Sequence, residues 1–407
     1  MFKVIKKSKI SKARLGVIET KKGRIETPFF MPDATRGVVK NLSNRDLSDL
    51  GLKCFVANTL HLFLRPGIKL IKSAGGLHSF MDWQGSILSD SGGYQVFSLI
   101  HKNKGENSGE ITDKCAIFKS PLDGSILKLT PEQSIKIQFD LGVEMMVCFD
   151  DCPPNSYNDA DLEIAVARTI KWAKRCSVEY NKQIKLRGLL KNSPLLMAVI
   201  QGGNNLPLRK RCAESLVKIG FDGFGFGARH VDETGKFLAE ALTLTADEIP
   251  ENKLRFGLGI GRPEDIVRSI KMGWDMFDCV IPTREGRHGR LFLFNCHAGA
   301  NPGLEPGEAI ASQDSIGLRQ LADPSRMTEK FNFYETINIT NAKFIKDFSP
   351  INAQSNLPEL RSYSKAYLHY LFKINESLGS RLASLNNLEF YLKLLSEARG
   401  LIRRNKL

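Results

Sequence analysis

What the chain lacks narrows it first. No run of about 18 apolar residues occurs, so no membrane span is expected. The basic N-terminus MFKVIKKSKISKARLG has no apolar segment of the kind that a secretory signal carries. The eight cysteines are scattered, several of them inside β-type runs, and no two form a CxxC pair. That spacing reads as reduced thiols in a cytoplasm rather than as a disulfide framework. No internal repeat or low-complexity tract stands out. Acidic residues are also short: 44 Asp and Glu stand against 58 Lys and Arg, a net charge of +14. A pI near 9.3 favours an anionic partner, nucleic acid first.

What is present organises around MFDCVIPTREGR, Met276 to Arg287. The stretch opens as an apolar β-type run and ends in a basic loop. Asp278 sits in it between Phe277 and Cys279. An ionised carboxylate among apolar neighbours is costly unless it has a partner or a task. Pro282, Arg284 and Arg287 follow at once, and guanidinium groups of this kind hold phosphate backbones. The plain alternative, a salt-bridged structural Asp, is weakened by a second stretch, SILSDSGGYQVFSL, Ser86 to Leu99.

Eight short apolar runs follow one another: Thr27–Pro32, Lys53–Thr59, Ser86–Ser91, Met145–Asp151, Leu195–Gly202, Gly223–Ala228, Leu254–Ile260 and Met276–Pro282. They are continuous rather than alternating, as buried parallel strands are. Helical patterns separate most of them, from Thr130-Pro131, over Asp159–Gln183, Leu208–Ile219 and Pro263–Met272. Alternating strands and helices predict an α/β fold, a (β/α)8 barrel of the TIM type. Catalytic groups in such barrels stand at the C-terminal ends of the strands. Asn58, Asp90, Asp150, Gln201 and Asp278 all fall there. Singly, each reads equally well as an N-cap or a loop hydrogen bond; together they mark one mouth.

The expected division is a catalytic barrel over 1–294, an irregular Gly-, Pro- and Ser-rich insertion over 295–332, and a C-terminal, mostly helical α/β subdomain over 333–407. Its β character returns at Phe333–Phe344, and its helical region from Tyr363 is expected to break near Gly379 and Asn386.

The motifs suggest chemistry on a base. Paired glycines in DSGGYQ let a flat ligand approach, and Tyr94 can stack on it. The Gln201 amide offers a donor and an acceptor together, and Asp150 can accept two N–H bonds. Two carboxylates at one mouth suit a glycosidic bond: one attacks the sugar carbon and the other manages the proton of the leaving group. A covalent sugar intermediate then lets a second base enter with retention.

DSGGYQVFSL, NTLHLFLRPG (Asn58–Gly67), GGLHSF (Gly75–Phe80), MAVIQGG and MFDCVIPTREGR resemble the tRNA-guanine transglycosylase family, bacterial branch. The likeness covers roughly Arg14–Phe294 and Phe333 to about Leu401. It implies exchange of guanine at the tRNA wobble position for a 7-deazaguanine, in queuosine biosynthesis, with tRNA anticodon stem-loop, guanine and 7-deazaguanine as partners. By resemblance Asp278 is the nucleophile and Asp90 the general acid/base. Ser91, Gly92, Asp150, Gln201, Gly202, Gly227 and Ala228 frame the base, and Tyr94 and Leu258 sandwich it. Arg284 and Arg287 hold the tRNA. Cys152 and Val231 match the bacterial pattern, which points to 7-aminomethyl-7-deazaguanine rather than queuine. The family often forms homodimers.

Two departures stand out. The family holds a structural zinc with CxCxxC and a His 26 residues on, and the matching positions here are Ser355, Leu357, Leu360 and Asn386. Such groups cannot bind zinc, so no metal or other cofactor is expected, and apolar packing is expected in its place. Cys296-His297 alone offers too few ligands. The second departure is GARH, Gly227–His230, where the family usually carries a second Gly and a Leu. Arg229 pointing inward would oppose a cationic aminomethyl group. Two other readings stay open: a non-catalytic RNA-binding paralogue, and a related enzyme that exchanges bases in DNA.

Overall fold

The computed structural model describes residues 1–102, 109–153, 157–295 and 333–407. The expected insertion therefore lies, apart from Asn295, outside the described residues, and so does the Cys296-His297 pair.

Eight parallel strands close on themselves. They are β1 (Phe29–Ala34), β2 (Cys54–Ala57), β3 (Ser86–Ser89), β4 (Met145–Val147), β5 (Leu195–Ile200), β6 (Gly223–Phe226), β7 (Leu254–Gly257) and β8 (Met276–Cys279). Each strand pairs with its neighbours in sequence, and β8 pairs with β1 to shut the ring. All eight runs read from the sequence are barrel strands, so the fold is the α/β barrel expected. Helices cover the outside, among them Pro131–Leu141, Asp159–Leu186, Leu206–Ile219, Ala239–Glu248 and Pro263–Lys271. Thr130 caps the first of these, its side chain accepting from the Gln133 N–H, with Pro131 in the first turn.

Side chains alternate between two cores, because successive residues of a strand face opposite sides. Phe29, Met31, Cys54, Val56, Leu88, Met145, Val147, Leu195, Met197, Val199, Leu254, Phe256 and Met276 fill the inside of the barrel. Their neighbours Phe30, Phe55, Ile87, Met146, Ala198, Phe224 and Phe277 pack outward under the helices. The basic N-terminus forms strands Phe2–Lys7, Arg14–Thr20 and Gly23–Thr27, and Ile18 and Ile25 of this sheet join the inner core. Arg14 ties it there through a buried bidentate pair with Asp275, at 2.9 and 2.5 Å.

Two sequence expectations need correction. The basic end of the Met276–Arg287 stretch is a helix, Ile281–Arg287, not a loop. Pro282 in its first turn and the close fit of Gly286 against Ser384 explain it; a Cβ at Gly286 would come within 2.8 Å of the Ser384 backbone nitrogen. The C-terminal helix Ser377–Arg403 runs unbroken through Gly379 and Asn386. The break comes before it, at Asn375 with φ +57°. There the Glu376 N–H reaches the Leu371 carbonyl and the Asn375 N–H the Phe372 carbonyl, a left-handed helix stop that Asn tolerates. Gly379 instead lets the helix approach its predecessor, Lys365–Lys373, since a Cβ there would lie 3.0 Å from the Leu371 Cβ.

Strand Arg290–Phe294 pairs with Tyr334–Asn338 from the far side of the 295–332 segment. Asn386 and Asn387 fasten this pair to the long helix. The Phe292 N–H donates to Asn387 Oδ1 at 2.9 Å, and Asn387 Nδ2 donates to the Pro282 and Arg290 carbonyls. Asn386 Nδ2 donates to the Phe292 carbonyl at 3.0 Å.

Candidate active site

Continuing the inward alternation to the ends of seven strands gives what tops the inner core; at β4 it breaks, since Phe149 packs outward. Those positions are Asp33 on β1, Asn58 after β2, Asp90 after β3, Gln201 after β5, Gly227 after β6, Leu258 after β7 and Asp278 on β8. The local rule of strands thus gathers polar groups over an apolar floor at the C-terminal mouth.

Asp90 sits in a cage of donors. Thr59 N–H at 2.8 Å and Gly92 N–H at 3.2 Å reach Oδ1; Asn58 Nδ2 at 2.5 Å and Gln95 Nε2 at 3.0 Å reach Oδ2. Burial nevertheless pushes its carboxyl up to about 7, and the nearby charge of Asp33 pushes the same way. Asn58 also caps the Thr59–Leu64 helix, so the N-cap reading and the site reading are both true of it. Asp278 accepts from the Gly259 N–H at 3.0 Å. Its carboxyl is likewise raised to about 7, by burial first, with Asp33 adding to it. Each group therefore has both protonation states within reach near neutrality, which suits a nucleophile and a proton carrier.

The other arc of the mouth sets an amide, a hydroxyl and a carboxyl beside glycines, with room for a flat ring to approach. Gln201 is fully buried and donates from Nε2 to Asp150 Oδ2 at 2.7 Å, while its Oε1 has no partner among the described residues. Ser91 Oγ donates to Asp150 Oδ1 at 3.3 Å. Burial raises the Asp150 carboxyl to about 6. The alternation leaves β6 with glycine at its inward positions. Leu258 fills the space over Gly225, and a Cβ on Gly227 would meet the Gln201 amide at 2.5 Å. Gly202 has φ +134°, a conformation that L side chains rarely adopt, with the Arg209 backbone within 2.7 Å of where its Cβ would be. Cys152 lies beside this arc, where burial lifts its thiol to about 12 and keeps it protonated. Val231 is buried and bridges to Phe237. Ala228 takes φ +70°, strained for a residue with a side chain, and Arg229 after it is exposed.

On the rim, Tyr94 is 56% exposed at the start of the Gly93–Lys102 helix. An exposed aromatic there is open to stacking on an incoming base. Arg284 is exposed beside Glu285 at 3.7 Å, and Arg287 lies half-buried one helical turn further on, within the field of Asp33.

Sequence reasoning missed three members. Asp33 ends the run TPFFMPD and has the inward parity of Phe29 and Met31, a signal that was available. Gly259, the donor to Asp278, stands in the glycine-rich GLGIG, a weaker signal. Arg209 gave none. It is fully buried, with Phe226 as a cation–π neighbour at 4.1 Å and, among the described residues, no carboxylate paired with it. Its guanidinium donates to the Gly203, Ile200 and Gly227 carbonyls, so it ties together the two loops that carry Gln201 and Gly227. A cleft of about 490 Å³ lined by Arg24, Lys53, Glu389 and Arg399 lies away from this mouth and contains none of its groups.

At the four positions matched to zinc ligands, the residues present do not fit the metal. Ser355 Oγ donates to Glu389 Oε2 at 2.5 Å, and Asn386 Oδ1 accepts from Asn352 Nδ2 at 2.9 Å. Leu357 and Leu360 are buried in the outer core. These four positions thus combine apolar packing at Leu357 and Leu360 with a Ser–Glu and an Asn–Asn hydrogen bond. Among the described residues no group of three or more His, Cys, Asp or Glu is placed to hold a metal. No described helix is long and apolar enough to cross a membrane.

Comparison with known proteins adds to this geometry. Residues 8–407 match the model of a family described as queuine tRNA-ribosyltransferase. The chain is 39% identical over 402 residues to the queuine tRNA-ribosyltransferase of Methylacidiphilum infernorum, covering 98% of this chain and 94% of that protein. It is 36% identical over 406 residues to that of Thermoanaerobacter pseudethanolicus, covering 100% and 94%. With the protein of that name from Aliivibrio fischeri the identity is 34% over 405 residues, covering 100% and 94%.

Proposed function

The chain belongs to the queuine tRNA-ribosyltransferase family, and from that premise we infer a tRNA-guanine transglycosylase working through a covalent aspartyl–ribosyl intermediate, in queuosine biosynthesis. Asp278 attacks C1′ of the target nucleotide. The C1′–N9 bond breaks, its electron pair goes to the guanine, and Asp90 delivers the proton that the leaving base takes up. A 7-deazaguanine then enters, gives its N9 proton to the Asp90 carboxylate, and its nitrogen displaces Asp278 from C1′. Two inversions give net retention. Ser91, Asp150, Gln201 and the backbone at Gly92, Gly202, Gly227 and Ala228 read the base edges. Tyr94 and Leu258 cover its faces, and Arg284 and Arg287 hold the anticodon stem-loop.

The observation that carries this reading is the pair Asp90 and Asp278, two inward carboxyls at one barrel mouth, each held near 7. A non-catalytic RNA-binding partner has no use for two such carboxyls. The incoming base is a 7-deazaguanine, and the 7-aminomethyl form is the one that Cys152 and Val231 match. We further propose that the C-terminal region, divided from the barrel at 295–332, folds without zinc. The seven described cysteines are all free, which supports a cytoplasmic enzyme. A homodimer remains the assembly to test by light scattering.

Labelled guanine exchange into unmodified tRNA tests the activity, with 7-aminomethyl-7-deazaguanine and queuine as competitors. Exchange that the aminomethyl base inhibits more strongly than queuine supports both parts. Absence of guanine exchange overturns the activity, and stronger inhibition by queuine overturns the choice of base.

A further inference from the structure

Asp33 is a third carboxylate in the mouth, and the proton and nucleophile roles leave it without a task. Register places it closely. Met31 of β1 pairs with Asp278 of β8, and Asp33 is the next inward residue toward the rim. On its other side Asp33 pairs with Val56 of β2, and the next inward step on that side leads to Asn58 and Asp90. Asp33 thus stands on the strands between nucleophile and proton carrier, one step above Asp278. Both feel its charge. Around it lie the cationic or ionisable groups His61 and Arg287.

Its own partners are few. Thr35 donates its hydroxyl to Oδ1 at 2.8 Å, together with its backbone N–H. Among the described residues no lysine or arginine forms an ion pair with it. Burial raises its carboxyl above the ordinary range. A carboxylate in this place repels phosphate, and it raises the cost of ionising the nucleophile beside it. It is also on the arc opposite Gln201, Asp150 and Gly227, so it does not read the base. The remaining group within the bound nucleotide is a neutral donor on the sugar. The carbon that Asp278 attacks carries the 2′-hydroxyl on its neighbour.

We propose that Asp33 accepts a hydrogen bond from the 2′-hydroxyl of the target ribose and so makes the enzyme specific for RNA. The inference rests on the transglycosylase reading above. A hydroxyl donating to a carboxylate is among the stronger neutral–ionic contacts, and its loss costs roughly 10–100-fold in rate where the bond persists in the transition state.

The test is a double-mutant cycle between protein and substrate. Guanine exchange is measured on an anticodon stem-loop with either ribose or 2′-deoxyribose at the exchanged nucleotide alone, for the native enzyme and Asp33→Val. The native enzyme should lose roughly 10–100-fold in kcat/KM on the deoxy substrate. Asp33→Val should show a ribo/deoxy ratio near one. The ratio is internal to each preparation, so a lowered folded fraction does not alter it. Should Asp33→Val not fold, Asp33→Asn serves, with the ratio reduced by at least threefold. The pH midpoints of the rate should also fall in Asp33→Val, because a charge that raises both carboxyls has gone. An unchanged ribo/deoxy ratio in the variant overturns the assignment. No exchange by the native enzyme on the ribose substrate overturns instead the activity on which it rests.

Discussion

The barrel mouth and the Ser355–Asn386 clamp hold buried polar groups in opposite ways. In the mouth, Asp90, Asp150 and Asp278 are carboxyls raised above the ordinary range, and the Gln201 Oε1 is left without a partner among the described residues. In the clamp, Ser355, Asn352, Asn386 and Asn387 bond one another, Glu389 or the backbone. Lys393 stands 3.0 Å from Glu389 and supplies its counter-charge. The first arrangement keeps groups costly and reactive; the second satisfies them. A site gives up stability for poised chemistry, whereas a structural joint has no reason to. Substitutions in the two places should therefore carry opposite signatures.

The largest effect belongs to Asp278→Asn, which should abolish both exchange and the denaturant-resistant enzyme–RNA adduct seen on gels. The same variant should be more stable above neutrality. A carboxyl raised from 3.8 to about 7 keeps a proton in the folded chain that the unfolded chain releases. Stability is thus lost as pH rises from about 4 to 7, and an amide removes that loss. A melting temperature at pH 8 lower than the native one would break the comparison from the side of the mouth.

Asp90→Asn comes next. Exchange should fall by about 10²–10⁴ while tRNA binding persists, since the missing element is a titratable proton carrier. Native exchange should need Asp278 ionised and Asp90 protonated, giving a maximum near pH 7. Undiminished turnover with Asn at position 90 would remove it from the chemistry.

In the clamp, Leu360→Ala should cost about 2–5 kcal/mol of stability, because the side chain is fully buried. Calorimetry should show this loss, with kcat per folded molecule kept. Chelator should leave the native melting temperature unchanged, and elemental analysis should find no stoichiometric zinc. One tightly held zinc per chain would overturn the metal-free clamp and direct attention to Cys296 and His297.

The smallest effect is expected at the rim. Arg284→Ala should weaken stem-loop binding and lower the log–log salt slope by about 0.7, the share of one phosphate on a single strand. A slope identical to that of the native enzyme would detach Arg284 from the RNA.

Much of this contrast was legible residue by residue. DSGGYQ and MFDCVIP announced their carboxylates because a strand end is a local event, and inward parity follows from a period of two. The clamp was legible only as a loss: Ser355, Leu357, Leu360 and Asn386 showed what could not bind there. What does bind there, Glu389 to Ser355 and Asn352 to Asn386, depends on a helix packed across residues more than 30 positions away.

The sequence by itself determined the eight strands and the two carboxyls at the ends of two of them; which side chains form the inner floor came from the closed barrel. Those follow from short apolar runs and their polar ends, which each segment carries before it meets any other. Tertiary structure alone decided that Asp33 stands between Asp278 and Asp90, that Arg209 joins the Gln201 and Gly227 loops, and that Asn387 binds Pro282 and Arg290. These are meetings of segments far apart along the chain. They exist only once β8 pairs with β1 and closes the ring, and no local pattern encodes which distant carbonyl a buried guanidinium will find.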